Sequence, residues 1–258
     1  MFWKKKVRCP ISEEDKIIIE DSMLFLQEEF GCSLIKTHPV ILPTKHYFDY
    51  PFKGSREDAY YILNFVRHQM DVNSGLDINV IFYVERPPIE YLEGVVSVHD
   101  EGTELTTGKY IQNDENHIEI MIEEQQLKDT VSLVATISHE IAHYKLLGEG
   151  RLEKNDEILT DLTTTIFGFG LFTANSSLTK MQTWYGLTHT GWQVKGGSGY
   201  LHYKHHGFIL ALYSNYRDEI NPSWINYLEK DILKEYQKSA RYFDENPDQV
   251  RFKPKDET

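Results

Sequence analysis

Residues 139–143 read His139-Glu140-Ile141-Ala142-His143, two imidazoles four positions apart with a carboxylate beside the first. On an α-helix, residues i and i+4 share a face, so both rings project from successive turns and can close on one divalent ion. Glu140 then stands next to the pair, where a carboxylate can take up and return a proton. With 11 His in the chain, random placement gives on the order of 0.04 matches to this HExxH spacing, so the pattern carries information. The bland alternative is a pair of surface rings beside an idle glutamate. Ile137, Ile141 and Leu146 argue against it, because rings that interrupt an apolar helix need partners and an ion supplies one.

A catalytic zinc site takes three protein ligands and keeps one position open. Glu157-Ile158-Leu159-Thr160-Asp161 follows His143 on a second predicted helix and is again an i, i+4 pair, while Glu149 comes directly after Gly148. Glu157, Asp161 and Glu149 are therefore the candidates for the third ligand, with Glu157 placed first.

The order HExxH, then ExxxD on a following helix, resembles the gluzincins, the thermolysin-like branch of zinc metallopeptidases. That resemblance implies one Zn2+ held by His139, His143 and Glu157, with Glu140 as general base. It also implies that Asp161 hydrogen-bonds the non-ligating nitrogen of a ligand histidine and fixes its orientation. It covers about residues 118 to 170, and the ligand spacing is shorter than thermolysin's own. Gly150-Arg151-Leu152, Glu157 to Leu162, Gly168 to Asn175 and Gly199-Tyr200-Leu201 are similar to an uncharacterised group of bacterial proteins with a predicted zinc-protease-like site, a group that sets no substrate. Metzincins use HExxHxxGxxH, but here Leu146 replaces the glycine and Glu149 takes the final ligand position. Peptide deformylase needs a cysteine ligand, and Cys9 and Cys32 stand in no matching motif.

The chemistry implied is hydrolysis: the ion acidifies a water and polarises a carbonyl, and Glu140 moves the proton to the leaving amine. A tetrahedral oxyanion needs a further donor, and the stretch from Gly196 to His206 offers Tyr200, His202, His205 and His206, with Tyr200 placed first. Set against this, the chain has 16 Tyr, and most such rings pack with their hydroxyls at the surface. Gly196-Gly197-Ser198-Gly199 lacks the strand and lysine of a phosphate loop and reads as a flap. His38, His46, His68, His99 and His189 are isolated. Trp184, Trp192 and Trp224 with Phe167, Phe169 and Phe172 are expected to build the C-terminal core, and the segment from Tyr185 to Tyr200 is an alternative substrate pocket.

The elements that must position these groups can be read from periodicity. Ser12 and Asp15 cap a helix over 12–30, and Ser55 and Asp58 cap another over 56–70. Strands are predicted at Ile78 to Val84, Gly94 to His99, Lys109 to Gln112 and His117 to Glu123. In the last, Ile118, Ile120 and Ile122 alternate with Glu119, Met121 and Glu123, so one face is buried. Its position before the metal helix matches the edge strand on which zincins align an extended peptide, with an interior strand that has no free edge as the equal alternative. The metal helix starts at Asp129 or Thr130 and ends at Gly148, and helices are predicted at 153–172, 203–217 and 222–241. Strands cluster centrally and helices dominate both ends, which predicts an α+β fold. The expectation is a single zincin-like domain over 1–258, its small mixed sheet packed on the active-site helix. Residues 1–75 form its helical N-terminal region, 76–150 the sheet and HExxH helix, and 151–258 its helical C-terminal region.

Composition narrows the partners. The chain has 258 residues, 40% hydrophobic and 26% charged, ordinary for a soluble globular protein. Such a length buries an adequate core without a metal staple, so a metal here is expected to be functional. Forty acidic against 27 basic residues give a net charge of -13, which disfavours a nucleic acid partner. Ile166 to Ala174 is too short for a membrane span, and Met1 to Lys6 is followed by no apolar run, so no export signal is read. With two cysteines and no CxxC, a cytoplasmic location is expected. The function expected is that of a zinc metallopeptidase acting on a peptide or protein substrate. The alternatives are a hydrolase of another amide and a zinc-binding, zincin-like module that recognises a partner without peptidase activity.

Overall fold

Two capped helices open the described chain. In α1 (Glu13–Phe30) the Ser12 hydroxyl accepts the Asp15 N–H at 3.0 Å, satisfying one of the donors a helix start leaves open. A short α2 (Cys32–Thr37) follows directly. In α3 (Arg56–Gln69) Ser55 and Asp58 form both halves of a capping box. These features come from a computed structural model, which describes residues 7–84, 108–114, 117–183 and 201–254, with 108–114 and 178–183 described by their backbone course.

The sheet has three strands, β1 (Asp77–Tyr83), β2 (Gly108–Asp114) and β3 (His117–Glu123), in the order β1-β3-β2. β1 runs parallel to β3, with Ile78 opposite Ile118, and β2 runs antiparallel, with Tyr110 opposite Ile120. Ile118, Ile120 and Ile122 are fully buried, as their alternation predicts. Of the two places left open for this strand, edge and interior, the sheet has the interior one: β3 is central and both its edges are paired. Alternation with period two reports which face is buried and is silent on which edge is open. The strand expected over Gly94 to His99 lies outside the described residues.

Helix α4 (Thr130–His143) is the spine of the molecule. Asp129 caps it, accepting from the N–H groups of Val131 at 3.1 Å and Ser132 at 3.2 Å. Leu133, Val134, Ile137, Ile141 and Ala142 are buried, and the helix packs on α3, on β2 and β3 and on the next two helices. Its predicted continuation to Gly148 is instead a π-helical turn, Tyr144–Gly148, the local widening of the coil that accompanies many functional sites.

The helix expected over 153–172 is two helices, α5 (Glu157–Ile166) and α6 (Gly170–Thr183). They are separated where Gly168 takes φ +84° and its carbonyl accepts the Ile41 N–H at 2.9 Å. Next come α7 (Tyr203–Tyr216) and α8 (Lys230–Glu245), which pack on one another. The last helix begins later than expected, because Ser223–Tyr227 forms a 3-10 turn. There the buried Trp224 donates its indole N–H to Glu219 at 2.9 Å. Trp224, Phe167, Phe169 and Phe172 are buried as expected, whereas Trp184, Trp192 and the segment to Tyr200 lie outside the described residues. Helices before and after a small mixed sheet in the chain make the fold α+β. Among the described residues, no helix is long and apolar enough to cross a membrane.

Candidate metal centre

The last turn of α4 faces the first turn of α5. Asp156 starts α5 by accepting the Leu159 N–H at 3.0 Å, which puts Glu157 at the helix entrance, opposite the two histidines. His139 Nε2 lies 3.1 Å from His143 Nε2 and 3.1 Å from Glu157 Oε2, and the third side, His143 Nε2 to Glu157 Oε2, is 3.7 Å. A tetrahedral zinc with bonds of ~2.0–2.1 Å holds its ligand atoms roughly 3.3 Å apart, so this triangle has the size such an ion requires. The rings stand at 89° to one another, with centroids 4.7 Å apart. The group His139, His143 and Glu157 could hold a metal ion, and it is the one such group among the described residues.

The remaining polar atom of each donor side chain is held from behind. His139 Nδ1 donates to Asp161 Oδ1 at 2.9 Å. His143 Nδ1 lies 3.2 Å from the Thr160 hydroxyl, which itself donates to the Asp156 carbonyl at 2.8 Å. Glu157 Oε1 accepts from Asn155 Nδ2 at 2.7 Å, leaving Oε2 toward the histidines. Such backing fixes tautomer and orientation in metal sites. The hydrogen bond expected between Asp161 and one of the two histidines is present, to His139. Thr160 and Asn155 are additions the sequence reading missed. Thr160 could have been found as the residue beside Asp161, one turn on from Glu157. Asn155 sits in a loop with no periodic signal.

Electrostatics follow from this enclosure. Burial favours a neutral His139 ring, but the hydrogen bonds to Asp161 and Glu157 outweigh it and raise the pKa to about 10. His143 moves the other way, to about 4, through burial and the charge of His139. Burial would raise Glu157, yet its hydrogen bond to His139 and the charge there lower it to about 2. Without an ion, one proton on His139 thus balances the flanking carboxylates, and a dication can take that proton's place. Glu140 is buried in α4, and its charge adds to the influences that raise His139.

The rivals are placed elsewhere. Glu149 meets Lys145 Nζ at 2.5 Å through Oε1 and Arg151 at 2.9 Å through Oε2, so both its oxygens are engaged by cations and it stands outside the donor group. Asp161 hydrogen-bonds His139 from behind rather than joining the triangle. His205 accepts the His202 N–H at the start of α7 and lies 3.2 Å from Asp15 of α1. Neither His202, His205 nor His206 belongs to the donor group. Tyr200 lies outside the described residues.

Compared with family models, with curated proteins and with solved structures, the chain finds no significant match. The centre stands on its own geometry.

Proposed function

We propose that the protein is a zinc-dependent hydrolase of gluzincin type that cleaves peptide bonds in a peptide or protein substrate. The observation that carries this reading is the triangle of His139, His143 and Glu157 donor atoms, of tetrahedral size, with Glu140 one position along the same helix. Two imidazoles and one carboxylate suit zinc, and three protein ligands leave a position open, the arrangement of catalytic rather than structural sites. When bound, the ion supplies Lewis-acid chemistry, bringing the pKa of a water to about 7 and polarising a carbonyl.

The chain's own residues do the rest. Glu140 takes the proton of the attacking water and passes it to the leaving amine, base first and acid second. Asp161 holds the His139 ring in register, and Asn155 restrains Glu157 to one oxygen. Tyr200 is assigned the donor role toward the developing oxyanion. Since β3 is enclosed, an extended substrate would pair with an outer strand, and β2, which packs on α4, is assigned that role.

The test is to measure zinc content and cleavage of a peptide library for the purified protein and for Glu140→Gln. The expected result is one zinc per chain in both and a loss of about 100-fold or more in turnover for the variant, the usual size of a general-base contribution. Equal turnover by the two proteins would refute the mechanism.

A further inference from the structure

We infer that Thr160 is a positioning residue that fixes His143 in the tautomer with its proton on Nδ1 and so presents Nε2 to the ion. The inference rests on the proposal that His139, His143 and Glu157 hold zinc.

A threonine hydroxyl has one proton to give. That of Thr160 is given to the Asp156 carbonyl at 2.8 Å, one turn back on α5. Toward His143 Nδ1, at 3.2 Å, the oxygen can therefore only accept, and the ring nitrogen must carry the hydrogen. The neutral ring then has its lone pair on Nε2, the atom 3.1 Å from His139 Nε2 and 3.7 Å from Glu157 Oε2. The opposite tautomer would set the Nδ1 lone pair against the hydroxyl oxygen and place a hydrogen where the ion must sit.

Ordinary helix chemistry does not account for this arrangement. Buried threonines commonly return their hydroxyl to a carbonyl one turn back, as Thr163 does to Leu159 and Thr173 to Phe169. Thr160 makes that bond and adds a contact to a metal-site ring from the neighbouring helix. It is fully buried and His143 is 6% exposed, so water has little access to replace the hydroxyl. The Asp156 carbonyl, the Thr160 hydroxyl and the His143 ring form a relay of orientation running from the start of α5 to the metal position. The two histidines are thus supported differently: a carboxylate behind His139, a neutral hydroxyl behind His143.

The experiment compares wild type, Thr160→Val, which keeps the shape and removes the hydroxyl, and Thr160→Ser, which restores it. Long-range 1H–15N correlation spectra of the metal-free proteins, with the His143 ring assigned through His143→Gln, report which nitrogen is protonated. Zinc affinity is measured by competition with a chromophoric chelator, and thermal melts confirm folding. The expected result is Nδ1–H in wild type and Thr160→Ser, loss of that single form in Thr160→Val, and a 10- to 100-fold weaker zinc affinity for Thr160→Val alone, the range for lost supporting bonds in metal sites. An unchanged tautomer and affinity in Thr160→Val overturn the role of Thr160 while leaving the metal centre standing. A wild type that binds no zinc, yet shows Nδ1–H only when residue 160 carries a hydroxyl, overturns the metal centre and supports the positioning role.

Discussion

The carboxylate of Asp161 stands 2.9 Å from His139 Nδ1, on the far side of the ring from the Glu157 oxygen 3.1 Å from Nε2. One imidazole therefore joins two acids of the same helix, four residues apart. Replacing Asp161 by Ala leaves His139 free to rotate and lowers its basicity toward a metal. Zinc affinity should fall about 10- to 100-fold, measured by chelator competition, while Glu157→Ala, which removes a ligand itself, should cost more. Equal losses in the two variants would show that Asp161 coordinates directly instead of supporting His139.

Zinc binding should release about one proton per chain at pH 6, below the value of about 7 at which a zinc-bound water ionises. His139, with its pKa raised to about 10, is still protonated there, and His143, lowered to about 4, is not; the ion displaces a proton only from the former. Titration calorimetry in two buffers of different ionisation enthalpy gives the number directly. Heats that are the same in both buffers would contradict the charge state deduced for His139.

The metal-free protein should also be most stable between these two values. The folded state holds the His139 proton more tightly than the unfolded chain, so that contribution is complete below about 6.5 and fades as pH rises toward 10. His143 has the opposite sign, its folded pKa lying below its ordinary value of 6.5, so stability is lost as pH falls from there through about 4. Melting temperature against pH for the metal-free wild type should therefore decline on both sides. Asp161→Asn should flatten the alkaline side, and a slope unchanged in that variant would remove His139 as its source.

Local chemistry was legible in the sequence where a few neighbouring residues decide the outcome. The caps at Ser12, Ser55 and Asp129 and the buried face of Ile118, Ile120 and Ile122 follow from short-range spacing, whereas the pairing of Asp161 with a histidine, 22 positions apart, was implied by the resemblance to gluzincins. Choices settled between distant segments were hidden. The enclosure of β3 depends on β1, about 40 positions earlier, and the break between α5 and α6 depends on residues 39–41 meeting Gly168. The π turn at Tyr144 leaves the apolar pattern of a helix intact, so periodicity alone extended α4 through it. Glu149 is engaged by near neighbours, Lys145 and Arg151, and Arg151 is anchored in turn by distant residues, reaching Glu29 at 3.3 Å and lying over the Phe30 ring at 4.4 Å.

That engagement separates Glu149 from Glu157 experimentally. Glu149→Ala strips the Lys145 ammonium, a buried residue, and the Arg151 guanidinium of their shared carboxylate. Loss of a partner by a largely buried polar group costs about 1–3 kcal/mol, so the melting temperature should drop while zinc affinity stays within about threefold of wild type. Glu157→Ala should show the reverse, weak zinc binding with a smaller change in the metal-free melt. A loss of zinc by Glu149→Ala at full stability would return Glu149 to the ligand set.

Gly168 and Gly150 allow a test of what holds α5 in place. Both have positive φ, +84° and +72°, and an L side chain there costs roughly 1–2 kcal/mol in strain. Around Gly150 an added Cβ meets nothing within 4 Å, so Gly150→Ala should show that strain alone. At Gly168 the same atom would lie 2.2 Å from the Pro39 carbonyl oxygen and 3.3 Å from Ile41. The strap through residues 39–41 would have to leave the end of α5, breaking the Ile41 N–H bond to the Gly168 carbonyl. Gly168→Ala should therefore lose about 2–5 kcal/mol by denaturant unfolding, strain plus the overpacking cost of about 1–3 kcal/mol. Because the strap grips the C-terminal end of α5 and Glu157 stands at the other, zinc affinity at low temperature should fall by less than threefold in the folded fraction. Equal losses of stability for the two alanine variants would mean that the strap yields without cost and that α5 is held by the helices packed on it.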